Sequence, residues 1–160
     1  MDQRTNEIRN KIFSAFPHLF SDKNFKITSK KNPSYNCIAW AYNITDRWMW
    51  PNTGKHPFLD GVYYWPDIKV MQPTIGNFVR AFKLKGYVCC DNGNFEEGYQ
   101  KIALYAKNGS DECTHASRQL RNGCWTSKLG SQEDIQHGTP FSVENDDYGE
   151  VRCFMKRSFL

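Results

Sequence analysis

The sequence predicts an α+β fold, with helices first and an antiparallel sheet after them. Apolar residues early in the chain recur at helical spacing, at Ile8, Ile12, Phe13, Phe16 and Phe20, and again at Ile75, Phe78, Val79 and Phe82. After Gly86 the period changes and short β-rich runs follow one another. Two Asn-Gly pairs, Asn108-Gly109 and Asn122-Gly123, fall where hairpin turns belong. Helices followed by strands, rather than alternating with them, argue for one α+β domain over residues 1–160.

The first helix runs from Asn6 to Phe20 and ends or bends near Pro17, whose ring opposes a continuing helix. Phe25 to Thr28 fits a short strand. Lys30 to Ser34 is a turn cluster, and Ser34 is a candidate N-cap for a helix from Tyr35 to about Ile44. From Arg47 to Pro66 the chain carries Trp48, Trp50, Tyr63, Tyr64 and Trp65 among Pro51, Pro57 and Pro66. That proline density rules out a long regular element, leaving an ordered aromatic loop, either a lid over the core or a cleft wall. Thr74 caps the next helix and Gly86 stops it. The sheet then takes about five strands, at Tyr87–Cys90, Lys101–Ala106, Cys113–Leu120, Cys124–Leu129 and Gly149–Lys156.

At 160 residues the chain is long enough to bury a core without staples. A 39% hydrophobic and 24% charged composition makes it globular rather than disordered. No run of about 18 apolar residues offers a membrane span. The polar start, Met1 to Glu7, does not read as a secretory signal, so a cytoplasmic protein with reduced thiols is expected, with export by a signal-less route left open. A net charge of +4 falls short of a nucleic-acid footprint. No P-loop, dinucleotide fingerprint or HExxH motif occurs, and no cofactor is implied.

Two residues carry the chemistry. Cys37 falls in the first turn of its helix, where unpaired N–H groups and the helix dipole favour a thiolate nucleophile; the alternative is a buried core cysteine. His115 lies within a strand of the Asn122-Gly123 hairpin, from which an imidazole can be aimed at a helix terminus, or can sit as a satisfied structural residue. Zinc is the rival for these residue types. No standard ligand spacing is present, and under the register below Cys124 lies roughly 26 Å along the strand from Cys113, at about 3.3 Å per residue, too far for one ion.

Cys37-Ile38-Ala39-Trp40-Ala41, followed by His115-Ala116 and then by Asn122-Gly123 with Trp125, resembles the nucleophile helix and histidine hairpin of papain-like and transglutaminase-like proteins. Over Tyr35 to His137, Asn36 to Ala41, Tyr64-Trp65-Pro66, Lys101 to Tyr105, Thr114-His115-Ala116, Arg118-Gln119-Leu120 and Trp125 to Gly130 also resemble a bacterial family of single-domain proteins of unknown activity. The first resemblance implies a papain-like fold with the Cys37 helix butted against the His115 strand. It also implies a cysteine hydrolase or acyl transferase acting on a peptide, protein or small amide. Cys37 attacks, His115 shuttles the proton, and backbone N–H groups with Asn36 hold the oxyanion.

A two-residue turn at Asn122-Gly123 sets Gln119 opposite Thr126, so that His115, Ser117, Gln119, Thr126 and Lys128 share a face, while Ser127 would need a bulge to join them. Lys128 stands about where the transglutaminase-like pattern has an acid. The third member is then Gln119 or Thr126 through a hydrogen bond, or Glu133 or Asp134 reaching back, with Asp134 preferred. Lys128 is left to hold an anionic substrate group or to lower the thiol pKa. Trp40 and Trp65 line the substrate side. The alternative is a non-catalytic binding, immunity or regulatory module on the same scaffold.

Overall fold

The computed structural model describes residues 3–51, 63–66, 72–129 and 132–159. Its centre is a sheet of seven antiparallel strands with helices on both faces. In chain order the strands among the described residues are β1 (Lys26–Ile27), β2 (Trp48–Met49), β3 (Tyr63–Tyr64), β4 (Val88–Cys90), β5 (Tyr99–Ala106), β6 (Cys113–Gln119), β7 (Trp125–Lys128), β8 (Asp134–His137) and β9 (Glu150–Ser158). The large sheet runs β1-β8-β7-β6-β5-β9-β4, and β2 and β3 form a separate parallel pair. The aromatic stretch thus holds two short strands; His56 and Pro57 within it, and Gly130, lie outside the described residues.

Helix α1 (Gln3–Ala15) ends just before Pro17, which opens a 3-10 turn over Pro17–Ser21, the break a proline imposes. Helix α2 (Cys37–Ala41) has one turn and a half. Its N-cap is Asn36 rather than Ser34, because the Asn36 Oδ1 accepts from the Ala39 N–H at 3.0 Å. Helix α3 (Ile75–Leu84) is capped by the Thr74 side chain, and Gly86 at φ 100° follows its end.

The two faces bury different cores. On one, α2 and α3 press Ile38, Ala41, Phe78, Ala81 and Phe82 onto Ile102, Leu104, Ala116 and Met155. On the other, Ile12, Phe16 and Leu19 pack on Ala103, Tyr105, Trp125 and Ile135. The alternation of β5 assigns the two sets, since successive side chains point to opposite faces.

Seven strands replace the five expected, through β1 and β8. Asp134-Ile135-Gln136-His137 has a single aliphatic residue and so no apolar alternation, yet all four are buried. The hairpin register also differs from expectation. Leu120 N–H donates to Cys124 O at 2.7 Å and Gly123 N–H to Leu120 O at 3.0 Å, closing a three-residue loop with Gly123 at φ 88°. That is a type I turn with a bulging left-handed glycine. Arg118 therefore faces Thr126 and Gln119 faces Trp125. A slip of one residue exchanges the faces of a whole strand. Ser127 joins the His115 face without a bulge, while Thr126 and Lys128 go to the face of α2.

Candidate functional site

Two polar centres result, one on each side of the sheet. The first surrounds Cys37. Helix α2 lies over β6 and β7, and its first residue rests in the core among Tyr35, Ile38, Cys113 and Ala116. Cys37 is only 7% exposed. Burial pushes its thiol up to about 11, against the opposing effects of the Ala116 and Ile38 N–H groups and the Lys128 charge. A helix of five residues ends too soon to win that contest: desolvation outweighs the dipole.

Lys128 and Asp134 face each other across β7 and β8. Both are buried, with Nζ and Oδ1 4.0 Å apart. Tyr35 donates its hydroxyl to Asp134 Oδ2 at 2.6 Å, its ring lies 4.9 Å from Lys128 Nζ, and burial and Asp134 together push its phenol up to about 12. Lys128 Nζ donates to Gln132 O, and burial pulls its ammonium down while Asp134 opposes. Asp134 Oδ1 has no hydrogen-bond partner. Trp40 Nε1 donates to Thr126 Oγ1 at 3.0 Å.

The second centre surrounds His115, which has no exposed surface. Its Nε2 lies 3.0 Å from Ser127 Oγ, which lies 2.8 Å from His137 Nε2, and His137 Nδ1 lies 2.7 Å from Thr139 O. The carbonyl at the end sets the whole chain. His137 must carry its proton on Nδ1, so its Nε2 accepts from the Ser127 hydroxyl, and Ser127 accepts from His115 Nε2–H. The His115 Nδ1 is then a bare acceptor, buried and unpartnered. Its ring stacks on Tyr148 at 4.0 Å and meets Tyr105 edge-on. Burial drives His137 down to about 4 and His115 well below its ordinary value, the second histidine adding to the shift of the first. Both rings are neutral at physiological pH.

Of the residues singled out in the sequence, the structure gathers Cys37, Trp40, Lys128 and Asp134 on the α2 face. His115 and Gln119 are on the other. Gln119 donates to Gly93 O at 3.0 Å, holding the β4–β5 loop down. Trp65 packs on Phe78 of α3 with ring centroids 4.9 Å apart. Asn36 is fully engaged: beyond its cap bond it accepts from Met49 N–H and donates to Met49 O, each at 3.0 Å, so its amide ties α2 to β2. The polar residues missed by sequence reasoning are Tyr35, His137 and Tyr148, and Ser127 was assigned to the wrong face. Ser127 and His137 were hidden by the register and by the unrecognised β8.

No group of three or more His, Cys, Asp or Glu side chains able to hold a metal occurs among the described residues. All six cysteines are free thiols. No described helix is long and apolar enough to cross a membrane.

Fold and centres together define an α+β protein with a sealed thiol on one face of its sheet and a neutral histidine relay on the other. The chain belongs to the family described as a domain of unknown function (DUF7689), whose model matches residues 26–156, from β1 into β9. No curated protein and no solved structure matches it.

Proposed function

We propose that the chain is a non-catalytic binding module of immunity or regulatory type, working in the cytoplasm on a scaffold of papain-like descent. The observation that carries this reading is the sheet between Cys37 and His115. A thiol nucleophile needs a base within hydrogen-bond reach, about 2.6–3.2 Å. Here the histidine's Nε2 is committed to Ser127, and its ring is closed in by Tyr105 and Tyr148. Among the groups that do share a face with Cys37 are a lysine bonded to a carbonyl and a carboxylate bonded to a phenol. The thiol stays protonated at neutral pH, held there by burial.

The competing reading is a cysteine hydrolase or acyl transferase. Alkylation with iodoacetamide, followed residue by residue by mass spectrometry from pH 6 to 9, separates the two. The binding reading expects exposed Cys89 to react first and Cys37 to react only on unfolding, with His115→Asn leaving the Cys37 rate unchanged. Rapid alkylation of Cys37 near pH 7 that slows in His115→Asn would overturn it in favour of the enzyme.

A further inference from the structure

The α2/α3 face has a feature that neither polar centre uses. Arg118 of β6 and Arg157 of β9 rise from the sheet toward the C-terminal ends of α2 and α3, where Lys85 meets them. We propose that Lys85, Arg118 and Arg157 form a binding site for a phosphate-type oxyanion. The inference rests on the binding-module reading and names the chemistry of what that module binds.

Each cation is stationed over an aromatic ring. Arg118 Cζ lies 4.9 Å from the Trp40 ring centroid, Lys85 Nζ 4.3 Å from that of Tyr42, and Arg157 Cζ 5.5 Å from that of Tyr87. These rings fix the positions of side chains that would otherwise be floppy. Each cation also gives a donor to a backbone carbonyl: Arg118 Nε to Trp40 O and Arg157 Nη1 to Lys85 O, both at 3.4 Å, and Lys85 Nζ to Tyr42 O. Positive side chains at helix C-termini cap the last carbonyls and answer the dipole. That structural role accounts for one donor on each residue.

It leaves the rest unexplained. A guanidinium has five N–H donors and an ammonium three. Among the described residues, no carboxylate lies within ion-pair distance of any of the three cations. Asp134 acts on Arg118 only through space. Arg157 Nε is buried with no partner. The cations instead act on one another through space: burial, with the charges of Arg157 and Arg118, pulls the Lys85 ammonium down to about 8. Three half-buried like charges around aromatic walls are what a dianion with several acceptor oxygens relieves, and arginine forks match phosphate oxygens two at a time.

The test uses the full chain with two probes, inorganic phosphate and phenyl phosphate, in low-salt buffer. Binding is followed by calorimetry and by the acetylation rate of each lysine at pH 8. The proposal expects saturable one-site binding and protection of Lys85 from acetylation by the anion. Arg118→Gln and Arg157→Gln should each weaken binding about 10-fold or more, as expected on losing a charge-assisted hydrogen bond, and Arg157→Lys should recover part of the loss. Preference for phenyl phosphate assigns the site to a phosphate monoester, and equal binding assigns it to the free anion; both support the shared chemistry. Absence of saturable binding, or binding that survives both arginine substitutions, overturns the proposal. Should a variant fail to fold, protection or exposure of Lys85 in the unaltered protein still decides between these outcomes. Failure here leaves slow Cys37 alkylation, and with it the module reading, untouched. Fast Cys37 alkylation would defeat the module reading whatever phosphate does.

Discussion

Acidification should destabilise this protein through two buried histidines, and the size of the effect follows from their bonding. Well above pH 6.5 both rings are neutral in the folded and the unfolded chain. An unfolded histidine takes up a proton near pH 6.5, whereas folded His137 waits until about 4. Between those values the unfolded state binds more protons, so stability falls with falling pH. Each full unit between the two pKa values is worth about 1.4 kcal/mol. His137 alone therefore removes ~3 kcal/mol by pH 4, and His115, shifted in the same direction, adds to the loss. Against a typical domain stability of roughly 5–15 kcal/mol this is a large fraction. The structural reason is specific. A proton on His137 Nε2 turns the acceptor of the Ser127 hydroxyl into a second donor, so the chain of bonds from His115 to Thr139 cannot persist unchanged. Urea unfolding followed by tryptophan fluorescence, at half-unit steps from pH 7.5 to 4.5, measures the slope. The His115→Asn/His137→Asn double variant should have lower stability at pH 7 and a flatter profile. A profile already flat in the unaltered protein, or an equal slope in the double variant, would refute the reasoning.

Two further outcomes test the fold. A Cβ on Gly149, at φ 75°, would lie 2.2 Å from Ala106 O, so Gly149→Ala should cost ~3 kcal/mol or more in chemical denaturation; Gly98, at φ 86° with open space, should cost only about 1 kcal/mol as alanine. Lys128→Met should cost about 3 kcal/mol by leaving Asp134 buried without its cation, and Lys128→Met/Asp134→Asn should recover much of that, as for buried ion pairs in general; equal losses in the single and double variants would show that the pair does not interact.

Much of the architecture was legible in the sequence because it depends on local chemistry. Pro17 breaks a helix wherever it stands, the Thr74 hydroxyl can reach the Asn77 N–H in any amphipathic helix, and Gly86 relieves a positive φ. The unbroken apolar run from Ile102 to Ala106 fits a strand buried on both faces. β8 left no such trace. Its burial comes from neighbours on both sides, β1 and β7, and no pattern within Asp134 to His137 announces them. Asn36 was singled out to hold an oxyanion, not as the cap of α2, and its bridge to Met49 depends on a strand thirteen positions away.

By itself the sequence determined the α+β class, the three helices and five strands of the sheet, and that a cysteine lies in the first turn of one helix while a histidine sits in one strand. Only the tertiary structure decided which side of the sheet each of them occupies. The physical reason is the twofold period of a β-strand: one residue more or less in the loop at Arg121-Asn122-Gly123 leaves every propensity unchanged and moves each β7 side chain to the opposite face.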